Sequence, residues 1–401
     1  MTPTTPSPPA SVRTFLDAGG AAPLLPETLE ALRAARLEAW SGPRRLHSEG
    51  RRAGLLLGAA RETVAAAVGA RTEEVRFAPS HTAAIHAAVG GVAPARRRVG
   101  RRIVASAVER SALLAAAEHT APGEVTLVPV DARGRVERDA FETAVSADGV
   151  GLACLQHANG EVGTLQPLDQ VHTSARAAQV PLLVDAGSSL GHVDVGSSWD
   201  VLTADPADWG GPDGIGILVV RAGVRARPVG PEGPDPWFPG GVSTAAAFAA
   251  AVSLTAARSR QEAEDVRLRA YVARLRDRVS ALVPDVDVVG DPTDRLPHVL
   301  TFSCLYVDGE AILGELDAAG FAVGSGSACT SLTLQPSHVL AAMGALTQGN
   351  VRLTLHPGVT EDDIDRFCAV LPGAGARVRA RLGADLREPR TRRGPGPCGD
   401  P

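Results

Sequence analysis

The stretch V-G-L-A-C-L-Q-H-A-N-G-E-V-G, residues 150–163, decides the fold class. Val150 to Gln156 is an apolar run without alternation, the mark of a strand buried on both faces. Polar groups then follow in quick succession from His157 to Glu161. V-P-L-L-V-D-A, ending at Asp185 and Ala186, repeats the pattern of an apolar run closed by an acidic residue. Outward from these two, strands are expected at Val75 to Ala78, Ile103 to Ser106, Glu124 to Val128, Trp199 to Ala204 and Gly214 to Val220. Helical patterns separate most of them, among them Pro26 to Trp40, Glu49 to Val68 and Ser111 to Glu118. Strands alternating with helices predict an α/β domain with a mainly parallel sheet covered by helices on both faces. Gly240 to Ala257 is long and uncharged, but its Ala, Gly, Ser and Thr content suits a buried helix better than a membrane span.

Beyond Leu282 the texture changes. Strands are expected at Val286 to Val289, Val299 to Cys304 and Val351 to Leu355, and helices at Val307 to Ala319, Pro336 to Met343 and Thr360 to Leu371. The expected organisation is a disordered Pro/Thr arm at 1–12, a large domain at 13–264, a smaller C-terminal α/β domain at 265–380 and a disordered tail at 385–401.

Composition excludes several function classes. The net charge of -5 gives no electrostatic case for nucleic acid. Five scattered cysteines without a C-x-x-C pair argue against a disulfide framework or a cysteine zinc site, and no metal ligands are assigned. The N-terminus has neither a charged n-region nor an apolar h-region, so a cytoplasmic protein is expected. All 40 basic residues are arginine. A chain without lysine has no internal Schiff base and no lysine general base.

Four segments carry polar groups where an open α/β sheet gathers its ligands, at the carboxyl ends of strands: Pro79-Ser80-His81-Thr82, the loop from His157 to Gly163, Asp185 at the end of its strand, and the run that begins Asp205-Pro206-Ala207-Asp208. A fifth, Gly324-Ser325-Gly326-Ser327-Ala328-Cys329-Thr330-Ser331, stands out for its cysteine. A cysteine in a Gly/Ser loop is accessible, and loop N–H groups favour its thiolate. Cys154, Cys304 and Cys368 sit in apolar patterns and read as packing residues.

In this order and spacing the segments resemble the cysteine desulfurases, class V aminotransferases among the fold type I pyridoxal-phosphate enzymes. The resemblance runs from about 13 to 372. It includes F-L-D-A-G-G-A-A-P-L near the start, G-P-R-R-L-H-S-E-G-R-R-A at 42–53, L-Q-H-A-N-G-E-V-G-T-L-Q-P-L at 155–168 and V-D-A-G-S-S-L-G-H at 184–192. W-G-G-P-D-G-I-G at 209–216, G-S-G-S-A-C-T-S at 324–331, P-S-H-V-L-A-A-M-G and N-V-R-L-T-L complete it. It implies a large domain with a mainly parallel seven-stranded sheet, a smaller C-terminal domain, and a homodimer. By that resemblance Cys329 is the persulfide-forming cysteine, Arg352 grips the substrate carboxylate, and Asp185 pairs with the pyridine nitrogen. Asn159 lies near the ring hydroxyl and Thr82 binds phosphate.

The departures cluster. Where the family reads close to S-x-H-K, this chain reads Asp205-Pro206-Ala207-Asp208, which puts Asp208 at the lysine position and Asp205 at the phosphate serine. Arg110 stands at the ring-stacking histidine, Ser188 at a glutamine and His81 at the phosphate-turn glycine. Compositional drift from lysine to arginine keeps the charge; it does not produce aspartate. The expectation is therefore a degenerate desulfurase-like protein with a binding, regulatory or sulfur-relay role through Cys329. Pyridoxal phosphate would be non-covalent at best or not used. The partners would be a second copy, an active paralogue or a sulfur acceptor, with no nucleic acid and no membrane. The alternative is an active cysteine desulfurase using non-covalent pyridoxal phosphate to form a Cys329 persulfide.

Overall fold

A computed structural model describes residues 13–228, 230–231, 235–326 and 336–381. The expected arm, the expected tail and Cys329 lie outside them. The strands are β1 (Thr14–Phe15), β2 (Val75–Ala78), β3 (Arg102–Ser106), β4 (Val125–Val128), β5 (Val150–Gln156), β6 (Leu182–Asp185), β7 (Val201–Ala204), β8 (Gly216–Val220), β9 (Val286–Val288), β10 (Val299–Cys304), β11 (Phe321–Ala322) and β12 (Asn350–Thr354). The helices are α1 (Pro26–Glu38), α2 (Ser48–Val68), α3 (His81–Val92), α4 (Ser111–Thr120), α5 (Arg138–Val145), α6 (Leu168–Ala177), α7 (Thr244–Leu282), α8 (Gly309–Ala318), α9 (His338–Ala342) and α10 (Glu361–Arg381).

Seven strands form one sheet in the order β2-β8-β7-β6-β5-β3-β4. β4, β3, β5, β6 and β7 run parallel, and β8 lies antiparallel between β7 and β2. All seven residues of β5 are buried, which accounts for its unbroken apolar run. Because β5 to β7 are parallel and in register, Gln156 stands opposite Asp185 and Asp185 opposite Thr203. Their carboxyl ends therefore deliver polar groups to one edge of the sheet.

α7 is a 39-residue helix, roughly 58 Å long at 1.5 Å per residue. Ser243 caps its start by accepting from Ala246 N–H, and Gly240 and Gly241 turn the chain before it with φ of 94° and 76°. Its alanine-rich first half, through Leu254, packs against the large sheet. Its second half buries Leu268, Val272, Leu275 and Val279 in a separate core. That core also takes in the antiparallel sheet β12-β10-β9, α8 and α10. The N-terminal segment joins it too: β1 pairs parallel with β11, and Leu16 is fully buried there. Cys154, Cys304 and Cys368 are all buried as free thiols. Among the described residues no helix is long and apolar enough to cross a membrane.

Candidate active site

The edge formed by β5, β6 and β7 opens into a cleft of about 740 Å³, lined among others by Glu109, Arg110, Asn159, Ser188, Asp208 and Arg352. Asp185, 3% exposed, lies behind the lining residue Arg110. Its Oδ1 accepts from Gly187 N–H at 2.8 Å and lies 2.9 Å from His81 Nε2, as an ion-pair contact. Its Oδ2 accepts from Arg110 Nε at 3.0 Å, and the same guanidinium donates to Ser188 Oγ at 3.1 Å. Burial opposes the charge on Asp185, but His81 and Arg110 beside it hold the carboxyl well below the usual range. Burial likewise opposes the charge on Arg110, and Asp185 more than restores it. Both oxygens of Asp185 are thus engaged by this chain's own groups.

The turn after β7 holds the two aspartates. Asp205 caps it, accepting from Ala207 N–H at 3.2 Å, with Oδ2 3.8 Å from His81 Nδ1. Burial raises the Asp205 pKa. Asp208 is buried. Its Oδ2 accepts from Gly20 N–H at 3.0 Å, and its Oδ1 lies 3.1 Å from His192 Nε2 and 3.8 Å from His298 Nε2. Burial opposes its charge as well, and the two histidines hold it well below the usual range. The two rings stack with centroids 3.8 Å apart. Burial, with His192 alongside, pushes His298 down to about 4.

The walls are closely tied. Asn159 Oδ1 accepts from the N–H groups of Glu161 and Val162, and its amide donates to Val108 O. Arg352 donates through NH2 to Asp17 Oδ1 at 2.9 Å, while its buried Nε has no hydrogen bond. Glu109 is fully buried. Its Oε1 accepts from Gln156 N–H at 2.8 Å, and Oε2 has no partner. Burial, with Asp185 adding to it, pushes its carboxyl up to about 8, which favours the protonated form. His338 reaches the same wall, with Nε2 2.9 Å from Glu109 O.

Of the residues singled out from the sequence, Asn159, Ser188, Asp208 and Arg352 line one cleft with Asp185 behind Arg110. Thr82 is exposed in the first turn of α3 and is not among the lining residues. Sequence reasoning misses His192, His298, Glu109 and Asp17. Glu109 only precedes Arg110 in V-E-R, a run with no sign of its burial, and Asp17 comes from the far end of the chain. His192 does lie within the quoted V-D-A-G-S-S-L-G-H, but nothing in that run signals a partner at His298.

The side chains at the family's cofactor place do not fit pyridoxal phosphate in the family's manner. A pyridinium N–H would have to displace Arg110 or His81 from Asp185. The His81 ring abuts the turn after Asp185 so closely that a Cβ on Gly187 would lie 2.3 Å from its Cε1. Two carboxylates, Asp205 and Asp208, stand where the family has a serine and a lysine, and both oppose a dianion.

The chain has relatives among known proteins. The family described as Aminotransferase class-V matches residues 14–367. A cysteine desulfurase IscS of Dictyoglomus turgidum is 32% identical over 370 residues, 89% of this chain and 93% of the relative. Cysteine desulfurase IscS 1 of Archaeoglobus fulgidus is 33% identical, covering 91% of this chain and 98% of the relative. Among solved structures, a NifS-like protein superposes with a TM-score of 0.83 at 24% identity, over 93% of this chain and all of the other, a likeness in fold.

Proposed function

The chain belongs to the class-V aminotransferase family, with cysteine desulfurases as relatives along nearly its whole length, and from that premise we propose that it handles sulfur without an internal aldimine. The cleft takes a small carboxylate-bearing ligand against Arg352, whose Nε has no hydrogen bond. Cys329 works as a relay. Its thiolate attacks the outer sulfur of a donor persulfide, a new S–S bond forms, the donor's S–S bond breaks, and the donor leaves as a thiolate. No net oxidation occurs and no cofactor is needed. The observation that carries this reading is the closed Asp185–Arg110–Ser188 network beside Asp208. A second copy of the chain or an active paralogue is the proposed partner. The exposed Leu37, Trp40, Leu46 and Leu55 on and between α1 and α2 support an apolar contact. Sedimentation of the full chain should therefore give a dimer.

The test has two arms. Titrating the purified protein with pyridoxal phosphate should give no aldimine absorption, and borohydride should leave no pyridoxyl label on any internal residue. Incubation with a persulfidated thiol should load one labelled sulfur, and Cys329→Ser should lower that loading about 100-fold or more. Equal loading of Cys329→Ser would sink the relay.

One observation favours a second reading. The relatives named cysteine desulfurase share 32–33% identity with this chain, and Asp185, Asn159 and Arg352 are all present. That reading is an active desulfurase with non-covalent pyridoxal phosphate. Conversion of cysteine to alanine with stoichiometric persulfide, dependent on added cofactor, would establish it and displace the first.

A further inference from the structure

We propose that His192, Asp208 and His298 form a binding site for one divalent transition-metal ion, zinc by the chemistry of the donors. The three come from separate parts of the fold. His192 is in the loop after β6, Asp208 in the turn after β7, and His298 immediately before β10. One donor atom from each lies within 4.8 Å of the other two. The measured separations of 3.1 Å and 3.8 Å from Asp208 Oδ1 to the two Nε2 atoms bracket what ligands about 2.0–2.1 Å from a tetrahedral zinc require.

The second observation is His298. It is 1% exposed, and both of its ring nitrogens lack a hydrogen bond among the described residues. A buried imidazole with neither nitrogen satisfied is costly. Asp208 does not relieve it in the present geometry, because its Oδ1 lies 3.8 Å from His298 Nε2, beyond hydrogen-bond distance. The two rings stack with 22° between their planes, so one ring turns out of the stack for both lone pairs to meet an ion; that ion would satisfy His298 Nε2 and neutralise the buried carboxylate together. The Gly20 N–H would fix that carboxylate's orientation as an outer-shell partner. Two imidazoles and a carboxylate suit zinc, cobalt or ferrous iron and not magnesium or calcium, which take oxygen ligands. Asp208 lines the cleft and His192 borders an apolar groove beside Trp209 and Leu268, so the site has approaches from both sides. The ion would bring positive charge back to the position where the family resemblance expects a lysine. This inference does not depend on the relay reading, since it concerns no sulfur chemistry and does not involve Cys329.

The experiment uses the full chain stripped of metal and titrated with Co²⁺. The expected result is a visible d–d band of tetrahedral strength saturating at one ion per chain, displaced by Zn²⁺, with Zn²⁺ also raising the unfolding temperature. His298→Gln and Asp208→Asn should each weaken binding at least roughly 100-fold, beyond the loss of an outer-shell partner. Cys329→Ser should leave the spectrum unchanged, which separates this site from thiolate binding. If Asp208→Asn fails to fold by circular dichroism, His298→Gln carries the test, because it removes a ring that has no hydrogen bond to lose. A spectrum no different from aqueous Co²⁺ with no rise in unfolding temperature overturns the proposal. So does a band that survives in every folded variant.

Discussion

Asp185→Ala is expected to lower the stability of the cofactor-free chain by about 3–5 kcal/mol, the usual cost of removing one partner of a buried ion pair. The carboxylate accepts from Arg110 and Gly187 N–H and lies 2.9 Å from His81 Nε2. Its removal takes the ion-pair partner from a guanidinium 35% exposed and leaves His81, 5% exposed, with Asp205 alone, 3.8 Å away. The partial exposure of Arg110 places the loss toward the lower end of that range. Asp185→Asn keeps an acceptor for Gly187 N–H and should cost less. In a cycle with Arg110→Ala, the two losses should fail to add by about 1–3 kcal/mol. The contribution should hold at neutral pH. Because the folded pKa is depressed, it is lost only as pH falls below the ordinary value of 3.8. Urea unfolding without cofactor distinguishes this network from a cofactor-binding role. An aspartate kept to meet a pyridine nitrogen should, when removed, cost cofactor affinity and leave the cofactor-free protein within about 1 kcal/mol of the parent. That outcome would falsify the closed network.

Different parts of this molecule were legible in the sequence to different degrees, for physical reasons. β5 and β6 are buried on both faces, so their apolar runs and the polar residues that end them announce a parallel sheet and its functional edge. α7 is hard to read as one helix because its environment changes along its length. An alanine-rich buried half gives way to a charged half that buries only one stripe. β1 is two residues long and pairs with β11 from the far end of the chain, a contact with no local signal. At the site, the polar strand ends point to Asn159, Asp185 and Asp208, and the family resemblance adds Ser188 and Arg352. What it leaves out is how they are engaged. The link from Arg110 to Asp185, the approach of His298 to Asp208 and the tie of Arg352 to Asp17 each join residues far apart in the chain.

Glu109→Gln is expected to stabilise the protein increasingly as pH rises. The Glu109 carboxyl is fully buried with Oε2 unpartnered, and its folded pKa is about 8 against an ordinary 4.5. Between these values the unfolded chain has released the proton and the folded chain has kept it. The folded state then binds more protons, so the wild-type protein loses stability with each step up in pH. The slope is about 1.4 kcal/mol per pH unit. From pH 5 to pH 8 the loss amounts to roughly 4 kcal/mol, and it levels off above the folded pKa. Glutamine has no proton to lose, and its carbonyl oxygen can still accept from Gln156 N–H. The difference between variant and wild type, read from denaturant midpoints at each pH, should therefore widen across this window and stay flat below pH 4.5, the ordinary carboxyl value. A difference that does not change with pH would mean that Glu109 is already ionised in the fold. Glu109 would then add a negative charge to a cleft that Glu161 and Asp208 already line, and the proposal of an anionic ligand would have to be withdrawn.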